Sequence, residues 1–171
     1  MRYFVMMLAL CVAGCATPPA PSGLVMPAPD EQGAASLLGG YLLARGWTVR
    51  LAEDARVEAW REDESVTLEP VLDATGLDRI IVARHWPAAA GTDEAALNAL
   101  ALELNEALNV GQFHATAAGL TLQSSLAFLH ALDPRLLDAF LEYTADVRFA
   151  VRQVEGEHAV LAPVEGAPGS R

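Results

Sequence analysis

The sequence predicts an α+β domain in which an antiparallel sheet of five to six strands packs against three helices. Apolar residues recur at spacings of three and four in three segments, one near each end of the domain and one in its middle. Between these segments apolar residues alternate with polar ones, and short turn signals separate the runs. Such short connections are typical of neighbouring antiparallel strands. The domain is predicted to cover residues 31–153.

The first helix is predicted over residues 31–45. Its apolar residues have helical spacing, Glu31 lies at its start, where the helix dipole favours a negative charge, and Gly46 is a natural stop. Gly39 and Gly40 weaken the helix. We interpret this pair as a place of close packing against the sheet, since no strand precedes it to form a phosphate-binding loop.

Four strands are predicted next, because the apolar period changes to two. They cover residues 47–51, 57–61, 66–72 and 77–86. Pro70 has no backbone donor, so its strand should lie at a sheet edge or end there. The acidic run between the second and third strands is interpreted as a solvated turn, because the Asp-x-Asp-x-Asp-Gly spacing of a calcium loop is absent.

The middle helix is predicted to begin at Thr92, whose side chain can cap it. Its apolar stripe consists of Leu97, Leu100, Ala101, Leu104 and Leu108. Asn105 lies beside this stripe. Because a buried Asn must be hydrogen-bonded, we expect its side chain to tie the helix end to the following strand.

A β-hairpin is predicted after the middle helix. Phe113 and Ala115 alternate with polar residues, residues 117–119 form a tight turn, and Leu120 and Leu122 begin the returning strand.

The closing helix is predicted to start at Asp133 and Pro134, a cap followed by a first-turn proline. Its apolar residues are Leu137, Phe140, Leu141, Thr144, Val147 and Val151. Its acids are Asp138, Glu142 and Asp146, and their four-residue spacing indicates a solvated face. Residues 154–171 are expected to be a flexible tail, although residues 158–164 could add a weak strand.

The N-terminus is predicted to be a lipoprotein signal peptide, residues 1–14. Its apolar run is shorter than the roughly 20 residues of a membrane-spanning helix. Val12, Ala13 and Gly14 precede Cys15, which resembles the bacterial lipobox. In that motif the Cys sulfur receives diacylglycerol and the new amino group is acylated after cleavage. An ordinary secretory signal that contains a Cys, or an uncleaved anchor, is the alternative.

Residues 15–30 are expected to be a Pro-rich tether, because proline fixes φ and lacks a backbone donor. Ala16, and not Asp, follows the lipidated Cys15, which resembles the outer-membrane sorting signal of Gram-negative lipoproteins. We therefore expect a lipid anchor such as palmitate on the periplasmic face, in the outer membrane. Loss of Cys11 with the signal peptide leaves the mature domain without a free thiol or a disulfide.

Composition argues against several functions. The formal charge of −11 disfavours nucleic acid as a partner, because a polyanion repels an acidic surface. The chain has no Lys, which excludes a Lys nucleophile. The four histidines include no i, i+4 pair, and Ser124 lacks the Gly-x-Ser-x-Gly surround of a nucleophile. The sequence therefore predicts no catalytic residue, metal or cofactor.

The arrangement of six residues along the chain resembles that of a known protein family. They are Gly46, Trp47, Leu104, Asn105, Phe113 and Phe149. Their arrangement is similar to that of a YbjN-type domain, a proposed bacterial sensory transduction regulator, over about residues 33–152. The resemblance implies a fold similar to type III secretion chaperones, and a binding or regulatory module that is commonly dimeric. Typical members are cytoplasmic, so the predicted leader departs from the family.

The sequence thus favours a non-enzymatic envelope lipoprotein that binds a protein partner, or a second copy of itself, as a chaperone-like or regulatory module. A periplasmic carrier of a small ligand or lipid is the alternative, and it requires a pocket lined by Leu104, Phe113 and Leu122. A hydrolase with an unrecognised site ranks last. The candidate structural or partner-binding residues are Asn105, Phe113, Leu122 and Phe140.

Overall fold

Eight strands and three helices make up the described part of the chain, which is residues 24–25, 30–62, 64–129, 131–156 and 159–162 of a computed structural model. In chain order they are β1 (Leu24–Val25), α1 (Glu31–Leu43), β2 (Thr48–Leu51), β3 (Val57–Arg61), β4 (Glu64–Val71), β5 (Leu77–Pro87), α2 (Glu94–Ala107), β6 (Gln112–Thr116), β7 (Gly119–Leu129), β8 (Ala131–Leu132) and α3 (Pro134–Glu155). The predicted signal peptide and Cys15 lie outside these ranges. Within them, no helix has both the length and the apolar character needed to cross a membrane.

Six strands form one antiparallel sheet in the order β2-β3-β4-β5-β7-β6, and β1 pairs with β8 separately. The first four strands of the large sheet are the predicted meander. The β6–β7 hairpin joins it because β7 pairs with β5 along eleven residues of each strand. An α+β fold with a six-stranded antiparallel sheet and three helices is confirmed.

The helices cover one face of the large sheet. Along β5, Ile80, Val82 and Trp86 are buried on that face, whereas Arg79 and His85 on the other face are exposed. Two clusters of buried side chains fill the space below the helices. The first cluster joins α1 to the beginning of α3, and the second joins α2 to its end. Each fully buried Leu in them contributes roughly 1.5–3 kcal/mol.

Aspartates cap all three helices. Asp30 and Asp133 accept hydrogen bonds from backbone N–H groups of the first turns of α1 and α3, and the start of α3 at Pro134 is as predicted. The prediction that Thr92 caps α2 is wrong. Asp93 Oδ1 accepts from the Ala95 N–H at 3.1 Å, while the Thr92 hydroxyl donates to a carbonyl of the C-terminal segment.

The glycine pair of α1 is only half explained by close packing. A Cβ at Gly39 would lie 3.1 Å from Leu51 Cδ2 and 3.4 Å from Val49 Cγ1, so this position lets α1 approach β2. A Cβ at Gly40 would meet nothing within 4 Å. The predicted packing role is therefore confirmed for Gly39 and wrong for Gly40.

Pro70 lies next to the end of β4, as predicted. The last residue of β4 to pair with β3 is Leu68, so Pro70 has a sheet neighbour only on the β5 side, Ile80. Its missing N–H therefore leaves no carbonyl of β3 without a donor.

The chain beyond the predicted domain end at Gln153 is packed, so that boundary is too early. Helix α3 continues to Glu155, and Leu161 is 3% exposed and forms a bridge with Ala88. The buried Glu155 carboxylate accepts from the Leu161 N–H at 2.7 Å, which holds this segment to the helix. Strand β1 extends the folded part in the other direction. It pairs with β8, although residues 15–30 were expected to be a tether.

Candidate functional site

The two edges of the large sheet differ, because the Asn105 side chain pairs with the backbone of Phe113 at one of them. Its Nδ2 donates to the Phe113 carbonyl at 2.9 Å, and its Oδ1 accepts from the Phe113 N–H at 2.8 Å. The side chain thus satisfies the outward N–H and C=O of Phe113, as a neighbouring strand would at this position. The predicted tie between helix and strand is confirmed. The expectation that Asn105 is buried is wrong, because the residue as a whole is exposed.

The other candidate residues are packing residues. Phe113 and Leu122 are paired across the hairpin, and both are buried, with 3% and 0% of their surface exposed. Leu104 is buried in the same cluster, so these three side chains fill the place where the carrier alternative needs a pocket. Phe140 is half-buried against the other cluster. The structure therefore brings Asn105, Phe113 and Leu122 together, and it places Phe140 elsewhere.

The opposite edge of the sheet is open. Strand β2 pairs with β3 on one side, and on its other side no backbone or side-chain group of the described residues is hydrogen-bonded to Thr48–Leu51. Helix α1 packs on the face of β2, through Gly39, and not along its edge. Half of the backbone N–H and C=O groups of an edge strand point outward, so β2 can accept another strand.

A depression of about 570 Å³ lies beside this open edge, and we call it the arginine groove. It is lined by Arg45, Gly46, Thr48, Arg50, Trp60, Arg61 and Glu62. Three guanidinium groups and a single carboxylate thus face it, in a chain whose formal charge is −11. The lining is therefore rich in arginine. Each of these arginines also has a carboxylate partner at the margin of the groove, on Asp138, Glu58 or Glu64.

A second depression, of about 330 Å³, continues from the arginine groove along α3 and shares Arg45 and Arg61 with it. The carboxylates of Glu64, Asp138, Glu142 and Asp146 line its walls. The interpretation of the α3 acids as a solvated face is therefore wrong for Asp138, since this residue is half-buried and contacts α1.

Asp138 joins α1 to α3. Its carboxylate accepts from the Tyr41 hydroxyl and from Arg45 Nε, both at 2.9 Å, and the Arg45 guanidinium lies 3.5 Å from the Tyr41 ring centroid. Burial, and next the hydrogen bond to the negative Asp138, raise the pKa of Tyr41 well above its usual value of 10. Arg45 is therefore fixed at the junction of the two depressions.

Arg61 is held by an aromatic ring and by an ion pair with Glu64, without a hydrogen bond to either. Its guanidinium lies 4.5 Å from the ring centroid of Trp47, which is 5% exposed. Its nearest carboxylate oxygen in the described residues, on Glu64, is 3.7 Å away, beyond hydrogen-bonding distance. A guanidinium stacked in this way has a fixed plane, and its N–H groups remain available to a ligand.

Arg84 holds the part of α3 that lines the second depression. It is 6% exposed, and it donates to the Leu141 carbonyl of α3 at 2.8 Å and to the Thr144 hydroxyl at 3.1 Å. Burial lowers its pKa to about 10, and the nearby Glu64 opposes this shift. The residue links β5 to α3 and fixes the position of the helix above the sheet.

The arginines of the groove match no sequence motif, and only the fold brings them together. Residues 45–61 contain Arg45, Arg50, Arg56 and Arg61, four of the eleven basic residues of the chain. This local excess of positive charge in an acidic protein was the available signal.

The arginine groove and the open edge of β2 can make two kinds of contact with a ligand. Guanidinium groups bind carboxylates through paired, charge-assisted hydrogen bonds, and an open strand pairs with an extended backbone. In the described ranges, no three His, Cys, Asp or Glu side chains converge as a metal site requires.

Comparisons with known proteins identify the fold. No family model matches the sequence, and no curated protein matches it. Among solved structures the chain is similar to the crystal structure of YbjN from E. coli, a proposed transcription regulator, with a TM-score of 0.55 and 15% sequence identity. The match covers 82% of this chain and 99% of that chain. The chain therefore has a YbjN-like fold.

Proposed function

We propose that this chain is a non-enzymatic envelope lipoprotein that binds an extended segment of a partner protein at the open edge of its sheet, strand β2. The observation that carries the proposal is the difference between the two edges. Asn105 satisfies both backbone groups of Phe113 at the β6 edge, whereas Thr48–Leu51 has no such partner among the described residues.

An open strand edge is a binding surface unless something protects it. Native proteins protect edges with a covering element, a charge or a very short strand. Here β6 is protected by a side chain. In the described ranges, only the short length of β2, four residues, and the exposed Arg50 hinder pairing with this strand. A partner strand would gain main-chain hydrogen bonds to β2, with its side chains recognised by the neighbouring groove.

The YbjN-like fold is compatible with a regulatory or protein-binding module. The lipobox at residues 12–15 supports the second part of the proposal, that a lipid on Cys15 anchors the module to a membrane, on the periplasmic face of the outer membrane. One acyl chain binds a bilayer only marginally, whereas two or three hold a protein firmly.

The proposal can be tested by photo-crosslinking in a Gram-negative host that expresses the full chain. A photoreactive amino acid replaces Thr48 at the β2 edge, or Gln112 at the β6 edge as the matched control, since both residues are exposed. We expect an adduct of defined mass from Thr48 and none from Gln112. The partner identified by mass spectrometry, once purified, should slow amide hydrogen exchange in β2.

Two results would overturn the proposal. One is adducts of equal yield at both positions, or at neither. The other is a purified partner that slows exchange elsewhere in the domain and leaves β2 unchanged.

A further inference from the structure

We infer that the segment captured at β2 is acidic, and that Arg61 is the residue that selects it. This inference rests on the proposed function and adds the chemistry of the partner. It starts from the charge of the arginine groove, which places three guanidinium groups and one carboxylate beside the open edge. At physiological ionic strength charges are screened beyond about 8 Å, so a docked segment is influenced mainly by these near groups.

The three arginines differ in how readily they can bind a new carboxylate. Arg45 and Arg50 are ion-paired with Asp138 and Glu58, and their side chains are 36% and 68% exposed. An exposed pair such as Arg50 with Glu58 contributes little to stability, so a ligand can replace Glu58 at small expense. Arg45 is held more firmly, by Asp138 and by the Tyr41 ring. Arg61 is the least constrained of the three, because Trp47 positions its guanidinium and its ion pair with Glu64, at 3.7 Å, includes no hydrogen bond.

The register of the sheet places these groups on both faces of an added strand. Thr48 pairs with Trp60, so Thr48, Trp60 and Arg50 share the open face, while Arg61 follows Trp60 and lies on the helix face with Trp47. An extended segment presents successive side chains to opposite faces. Two neighbouring carboxylates of such a segment can therefore reach Arg50 on one face and Arg61 on the other.

A second copy of this chain fits the groove less well than a different, acidic protein. Pairing of two β2 strands would bring the arginine sets of both copies together, and like charges at an interface disfavour it. Single-stranded nucleic acid also fits poorly. The Trp47 ring is buried under Arg61 and cannot stack on a base, and a nucleic acid backbone cannot pair with a strand edge.

The test uses the full chain in detergent and three fluorescent probes: a decapeptide of alternating Glu and Thr, the same peptide with Gln in place of Glu, and a ten-residue oligo-dT. Fluorescence anisotropy measures each Kd. We expect the Glu peptide to bind at least tenfold more tightly than the Gln peptide. Arg61→Gln should weaken the Glu peptide about tenfold and leave the Gln peptide unchanged, as expected for the loss of one charge-assisted contact.

Arg79→Gln is the matched control, because Arg79 is exposed on β5 outside the groove and the charge change is the same. It should leave the affinity for the Glu peptide unchanged. If Arg61→Gln does not fold, as judged by circular dichroism, Arg50→Gln replaces it. Arg50 is the most exposed arginine of the groove, and its substitution should weaken the Glu peptide severalfold.

The outcomes separate this inference from the proposed function. Equal affinity for the Glu and Gln peptides, with slowed exchange in β2, overturns the acidic selectivity and leaves the open edge as a binding site. An equal effect of Arg61→Gln and Arg79→Gln overturns the role of Arg61. Binding of oligo-dT in preference to both peptides overturns the inference and the proposed function together.

Discussion

At the scale of single residues, one polar side chain makes the two edges of the sheet different. Asn105 has a donor and an acceptor at the spacing of a peptide group, so it satisfies the N–H and C=O of Phe113 together. An aspartate could accept but not donate, and a leucine could do neither. The residue is exposed, so its contribution comes from the hydrogen-bonding groups of its side chain and not from burial.

Asn105→Ala should therefore destabilise the protein. Two hydrogen bonds are lost and the Phe113 backbone loses its partner, which together cost about 1–3 kcal/mol. Urea unfolding followed by circular dichroism measures the change. Asn98→Ala is the control, because Asn98 lies on the same helix, is exposed and makes no hydrogen bond to a described residue. Equal effects of the two substitutions would show that the contact to Phe113 contributes nothing.

Tyr41 gives a second prediction at this scale, a dependence of stability on alkaline pH. Its folded-state pKa is raised, mainly by burial and then by Asp138. As pH rises above 10, the unfolded chain releases the phenolic proton while the folded chain keeps it. The unfolded state then binds fewer protons, so this contribution to stability is full below pH 10 and declines above it.

Tyr41→Phe should lower the free energy of unfolding near pH 8, because the single hydroxyl proton is shared between the Asp138 carboxylate and the Pro134 carbonyl, each at 2.9 Å. The difference from the wild type should shrink as pH rises from 9 to 11, as measured by urea unfolding at each pH. Tyr143→Phe, at a largely exposed tyrosine, should show no such trend. A gap between wild type and Tyr41→Phe that stays constant over this range would contradict the expectation.

At the scale of elements, the approach of α1 to β2 determines which surface of that strand stays accessible. Helix α1 packs on the face of β2, with Gly39 against Val49 and Leu51. The same helix ends at the loop that carries Arg45, whose ion pair with Asp138 ties α1 to α3. The helix therefore covers the face of the strand, leaves its edge free and places one arginine at the groove.

The two glycines of α1 give a matched prediction. Gly40→Ala should stabilise the protein by about 0.5–1 kcal/mol, because alanine favours the helix and a Cβ there meets open space. Gly39→Ala should give a smaller gain or none, since its Cβ would lie 3.1 Å from Leu51 Cδ2, which must move. Thermal unfolding of the two variants compares them directly. Equal gains would mean that α1 does not pack closely on β2.

At the scale of the whole molecule, the charge distribution and the proposed lipid anchor would act together. The chain has 22 acidic and 11 basic residues, so most of its surface repels anionic partners. The arginine groove concentrates the opposite charge beside the open strand. A lipid on Cys15 would restrict the search for a partner to the membrane surface.

Anchoring predicts a clear result for Cys15→Ala. In a Gram-negative host, the wild-type chain should incorporate an alkyne analogue of palmitate and fractionate with the outer membrane. The variant should incorporate none and leave the membrane fraction. Cys11→Ala is the control, because Cys11 would be removed with the signal peptide and its substitution should change neither result. Labelling that persists in Cys15→Ala would refute the anchor at this position.

Much of the fold could be predicted from the sequence because the relevant signals are local. The period of two between residues 47 and 86 predicted the meander, and the pair Asp133–Pro134 predicted the start of α3. The cap of α2 was wrong by one residue, since Thr92 and Asp93 are both good caps and only the packing of the C-terminal segment separates them. The sequence also indicated that Asn105 contacts the next strand, eight residues away.

By itself, the sequence determined the fold class, the order of the elements and the expectation of a lipid anchor, because each follows from residues that are neighbours in the chain. Only the tertiary structure decided which sheet edge is open, that Asp138 turns toward Arg45, 93 residues earlier, and that three arginines gather at one end of the sheet. Such contacts depend on the order of strands in the sheet and on the position of α3 over it. Periodicity shows which face of an element is buried, but it does not show which element covers that face.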